Sequence, residues 1–147
     1  MTRTLAVALA GIAGVLVGLQ APVNSRLGRS IGSVQAATFS FVVGTIALAL
    51  VATLFYGGLG GFAQAVKAPA WAWFGGLLGA VYVTVAILTV RTLGVSGLTA
   101  LVICGQLAAA VVIDRFGLLG IARQPVGATR IVGLVLLVVG ALLVVRR

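Results

Sequence analysis

Five stretches of the chain carry no charge and are apolar on every face: 4–21, 34–56, 70–90, 95–113 and 131–145. A helix needs about 20 apolar residues to cross the hydrocarbon core of a bilayer. The first four runs have 18, 23, 21 and 19 residues and meet or nearly meet that length; the fifth has 15. It reaches full length as 126–145 if Arg130 snorkels to the interface and the helix starts near Val126. A transmembrane β-barrel would alternate polar and apolar positions, and these runs do not. The pattern predicts an all-α integral membrane protein, one domain over 1–147, with five spans joined by short connections at 22–33, 57–69, 91–94 and 114–130.

Composition closes the alternatives. Of 147 residues, 62% are hydrophobic and only 7% charged, with a mean hydropathy of +1.30. A soluble domain carries about 25% charged residues, so there are too few charges here to cover a water-facing surface. Disorder needs low hydrophobicity, and the 21 glycines show no collagen period. The net charge of +9 comes from ten Lys and Arg against one acid, Asp114. The cations form no run longer than two and sit at helix ends, which argues against a nucleic-acid footprint. Cys104 is the single cysteine and can form no intramolecular disulfide. Cleavage of the first run as a signal peptide after Ala21 would put Leu19 where a small residue is required, so that run is read as a retained helix.

Charge placement bears on orientation. With five spans the termini lie on opposite sides. Arg3, Lys67, Arg115, Arg123 and Arg130 then fall on one side, and Arg26, Arg29, Arg91, Arg146 and Arg147 on the other. Loop Lys/Arg bias normally sets topology, and here the bias is nil. Two readings follow: insertion in both orientations, or one orientation fixed by the N-terminal amine or a partner. Dual insertion would let two copies form an antiparallel homodimer with the inverted-repeat architecture of many transporters. A single orientation would call for an oppositely oriented paralogue. The bilayer itself is the other partner.

Several residues could carry function. Small residues four apart let helices approach closely, as in Ala10, Gly14 and Gly18, in Gly75 with Gly79 and Gly76 with Ala80, and in Gly105 with Ala109. Gln20, Pro22 and Asn24 crowd the end of the first span. This is either an interfacial cap or a broken helix with polar side chains at a substrate site. On a continued helix Gln20 and Asn24 would share a face. Polar stripes run along the second span (Gln35, Thr38, Thr45) and the fourth (Ser96, Thr99, Gln106), and Tyr82 with Thr89 could join them. Gln106, near mid-span, should face protein or a cavity. The candidate cavity lining is Gln20, Asn24, Tyr82, Thr99 and Gln106. Gly57, Gly58, Gly60 and Gly61 read as a helix stop, and Trp71 and Trp73 as an interfacial anchor. Asp114 beside Arg115 reads as a local ion pair. The chain has no Glu and no His, which argues against catalytic residues, a metal site, a cofactor or a cation exporter driven through a buried carboxylate.

In order and spacing, the chain resembles the YdcZ family of small bacterial inner-membrane proteins, within the drug/metabolite transporter superfamily. The resemblance rests on Gln20, Asn24, Leu27 and Gly28, then Trp71, Gly75, Gly76, Gly79, Ala80 and Val83, then Gly105, Gln106 and Leu107. Asp114, the run Phe116, Gly117, Leu118, Leu119 and Gly120, and finally Arg130 and Gly133 complete it. It implies five helices equivalent to half of a ten-helix inverted-repeat transporter, multi-pass in the bacterial inner membrane. It also implies relatives that are dual-topology singletons, oppositely oriented pairs or fused repeats. The expected function is small-molecule transport by alternating access, with a small neutral or mildly polar substrate. A non-transporting helper subunit and a pore former are the alternatives.

Overall fold

The structure, a computed structural model, describes residues 1–146; Arg147, one of the charges counted above, lies outside them. The described residues form helices and turns and no strand. In chain order these are α1 (Arg3–Ile31), α2 (Ser33–Phe55), a single turn α3 (Phe62–Ala65), a 3-10 turn (Ala70–Trp73), α4 (Phe74–Phe116), a second 3-10 turn (Leu118–Gly120) and α5 (Ala128–Val145).

α1 opens with the Thr2 hydroxyl accepting the Leu5 N–H at 3.3 Å, the usual service of an N-cap threonine. It then runs through Pro22 without a break and ends ten residues beyond the expected stop at 21. Proline removes one backbone donor, but the residues around and beyond it are well packed. Ala21, Asn24, Ser25 and Gly28 are all buried, and packing outweighs the missing bond. Gly32 ends the helix with φ 92°, a value that favours glycine, and α2 starts at the next residue. The broken-helix expectation at Pro22 is therefore replaced by a continuous helix and a one-residue hinge.

α4 spans the two expected helices at 70–90 and 95–113. As a straight helix its 43 residues would extend about 65 Å, twice the bilayer core. Gly94, at φ 71° and ψ 167°, breaks the helical backbone inside it, leaving about 20 residues on either side. The described residues hold four helices long and apolar enough to cross a membrane, and dividing α4 at Gly94 makes five stretches, each long enough for one crossing. In the 57–69 connection, the Trp73 indole donates to the Ala65 carbonyl at 3.2 Å. Trp71 and Trp73 are both exposed, as an interfacial anchor requires.

The chain divides into two compact units, one over Met1–Leu88 and one from Thr89 onward. In the first, α1, α2 and the start of α4 meet around Ala36, Ala37, Val83 and Ile87, with Leu27 and Tyr82 packed against them. The alanines let the backbones approach, and Ile87, 1% exposed, fills the centre. In the second, Gly97 lies beside Val145, the Cys104 thiol faces the Leu137 carbonyl at 3.7 Å, and Asp114 reaches Arg130. Contacts advancing along α4 retreat along α5, so these two segments run antiparallel. Leu98 and Ala141, each 5% exposed, are their most buried apolar side chains.

Most other large apolar side chains are exposed, Leu48, Leu54, Leu78 and Leu136 among them. In water this would be untenable; in a bilayer it is the lipid-facing surface. The small-residue rows behave unevenly. A Cβ on Gly79 would lie 3.2 Å from the Phe41 ring, whereas one on Gly14, Gly18, Gly75 or Gly105 would meet nothing within 4 Å. Within the chain, only Gly79 of these five packs as the spacing predicts.

Candidate functional site

The extension of α1 past Pro22 places Gln20 and Asn24 one helical turn apart on a common face. That face meets the start of α4 at Tyr82, Val83 and Ala86. Three of the five predicted lining residues, Gln20, Asn24 and Tyr82, thus come together around one small space, walled on its remaining sides by Ala21, Val83 and Ala86. The space leaves no room for a water molecule. Tyr82 is half-buried and Gln20 exposed, while Asn24 is only 5% exposed.

Asn24 is the anomaly of the site. Its Nδ2 is buried and has no hydrogen-bond partner among the described residues. Leaving such a donor unmade costs about 1–3 kcal/mol, and buried polar atoms in folded proteins are nearly always satisfied. Ser25, the neighbouring buried polar residue, does have a partner. Asn24 Nδ2 is a donor held without an acceptor among the described residues, beside a second amide and a phenol. The arrangement offers hydrogen bonds and shape, and no nucleophile or acid–base pair.

Thr99 and Gln106 lie on the second half of α4, in the other unit. Thr99 is half-buried and Gln106 exposed. The polar stripe of the fourth span thus places its amide on an open helix face. A Cβ added at Gly105 would likewise meet nothing within 4 Å.

A second concavity escaped the sequence reading. Between α2 and the start of α4 runs an open groove of about 500 Å³ lined by Val34, Thr38, Phe41, Thr45, Ile46 and Thr84 among others. Thr38 donates its hydroxyl to the Val34 carbonyl at 3.0 Å, and Thr84 donates to the Ala80 carbonyl at 2.8 Å. With those donors spent on their own helix the groove is largely apolar. The Thr38–Thr45 spacing marked one wall, but nothing in the sequence paired it with α4.

Asp114 does not pair with Arg115. Its carboxylate meets the Arg130 guanidinium at 2.9 Å, tying the end of α4 to the start of α5. Adjacent residues on a helix point about 100° apart, whereas the returning chain brings Arg130 in from outside. Among the described residues no three His, Cys, Asp or Glu side chains gather into a metal cage.

No curated protein and no solved structure matches the chain. One family does, described as "Putative inner membrane exporter, YdcZ", over residues 5–143. The match takes in all five apolar helical stretches and every residue of the polar cluster, and it agrees with the exposed apolar surface of an inner-membrane protein. It is a family of exporters rather than of enzymes, and the chain belongs to it.

Proposed function

We propose that the protein exports a small neutral or mildly polar molecule by alternating access, as an antiparallel pair of chains. Gln20, Asn24 and Tyr82 form the substrate site of the first unit, and Thr99 and Gln106 are separate candidate contacts on the second. The observation that carries this reading is the buried, unpartnered Asn24 Nδ2 beside Gln20 and Tyr82 in a chain of this family. The space has no room even for a water, so substrate entry would need α1 and the start of α4 to part. An acceptor oxygen on the substrate would then satisfy Nδ2. The even charge count and the unfilled faces at Gly14, Gly18, Gly75 and Gly105 support a second copy.

Asn24→Leu tests the reading. Leucine has a similar volume and no polar atom, so replacing an unsatisfied amide should leave stability unchanged or raised by about 1–3 kcal/mol. In proteoliposomes loaded with a panel of small neutral metabolites, the wild-type chain should give saturable flux of at least one. The folded N24L chain should lose at least about tenfold of it. Equal flux from N24L would remove Asn24 from the site. The same open glycine faces also suit a non-transporting subunit docked on a larger partner; that reading predicts no flux from the chain alone, and a pore predicts unselective leak.

A further inference from the structure

The end of α4 and the loop that follows build a second feature, distinct from the polar cluster and independent of the export reading. After Phe116 the chain folds back on itself. The Gly117 N–H bonds to the Ile113 carbonyl at 2.8 Å, and the Gln124 N–H to the Asp114 carbonyl at 2.9 Å. Arg123 Nε donates to the Phe116 carbonyl at 3.2 Å. The Asp114–Arg130 ion pair closes the base of the loop. These bonds hold open a pocket of about 420 Å³ lined by Arg115, Phe116, Arg123, Gln124 and Pro125.

The pocket's charge is unbalanced. It presents two guanidinium groups and no carboxylate. The single acid of the chain, Asp114, is taken by Arg130. Arg123 uses Nε on the Phe116 carbonyl, and its remaining donors stay available, since a guanidinium carries five. A cation at the end of a helix is favoured by the helix dipole, which explains Arg115 alone. It does not explain a second arginine tethered by the Phe116 carbonyl on the lining of the same open pocket.

Location narrows the ligand. The pocket lies where an apolar spanning helix stops, at the depth of lipid headgroups. Phe116 and Leu118 are exposed beside it and offer an apolar rest for acyl chains. Guanidinium forks match phosphate oxygens bidentately. We propose that Arg115 and Arg123 form an interfacial phosphate site, and that its occupant is the phosphodiester headgroup of an anionic phospholipid, with Gln124 hydrogen-bonding the headgroup's polar substituent.

The test uses the purified full chain in a nonionic detergent. It is titrated with short-chain phosphatidylglycerol, short-chain phosphatidylcholine and inorganic phosphate, and bound species are counted by native mass spectrometry. Phosphatidylglycerol should bind at least about tenfold more tightly than phosphatidylcholine. Arg115→Gln with Arg123→Gln should lose at least about tenfold of that affinity, and the two lysine replacements should keep part of it. Arg115→Gln alone leaves the Arg123 bond to Phe116 in place, so it serves if the double variant fails to fold, with a several-fold loss expected. Phosphatidylglycerol binding that is equal in wild type and R115Q overturns the site. Arginine-dependent binding of inorganic phosphate as tight as that of phosphatidylglycerol keeps the phosphate chemistry but overturns the lipid as its source.

Discussion

Gly28→Ala should destabilise the protein, although alanine is the better helix former. Gly28 sits in the interior of α1, where the exchange normally gains about 1 kcal/mol. Here the added Cβ would stand 3.1 Å from Ile87 Cγ2, 3.6 Å from the Ser33 Cα and 3.7 Å from the Ala36 Cβ. Ile87 is 1% exposed and packed among Ala36, Ala37 and Val83, so it has no free direction to yield. Overpacking of that kind costs about 1–3 kcal/mol, and subtracting the helix gain leaves a net loss of about 0–2 kcal/mol. Gly14→Ala is the matched control, since its Cβ would meet nothing within 4 Å and only the gain should remain. Unfolding in mixed micelles with rising denaturing detergent, followed by circular dichroism, gives both values. A G28A gain in stability equal to that of G14A would refute the packing of α1 against the start of α4. Loss of stability in G14A would mean that something outside the chain covers that face, as an antiparallel copy would.

Two further substitutions probe the backbone and the charges. Gly94→Ala forces a side chain onto φ 71° and ψ 167°, backbone open essentially to glycine alone, and should cost about 1–3 kcal/mol by the same detergent titration; no change would mean that α4 does not need that break. Asp114→Asn unpairs Arg130, whose side chain is 45% exposed, so solvent screening limits the loss to at most about 1 kcal/mol. That loss should shrink as salt is raised, and a salt-independent effect would indicate packing rather than charge.

The spans were legible because hydropathy is an additive property of a run of residues, and lipid demands little else. α2 starts and ends within a residue of its expected bounds, and the break between the third and fourth spans falls at Gly94, inside the expected link at 91–94. The end of α1 was not legible. Proline reads as a stop, and only the partners of Asn24, Ser25 and Gly28 reveal why the helix continues. The amide pair was still found, since Gln20 and Asn24 are costly residues beside an apolar run. The pairing of Asp114 with Arg130 was missed because the intervening loop returns through bonds, such as Gln124 to Asp114, that no spacing rule encodes. The packing glycines were half legible: spacing marks a face that can be approached, and the chain itself fills only the one at Gly79.

The central claim is that this chain is half of a transporter completed by an inverted copy of itself. The most direct test is the location of its C-terminus. A single-copy C-terminal tag that reports separately from cytoplasm and periplasm should give comparable signal from both sides, as the five-to-five division of cations predicts. Signal from one side alone would contradict the antiparallel homodimer and leave an oppositely oriented partner chain to be found.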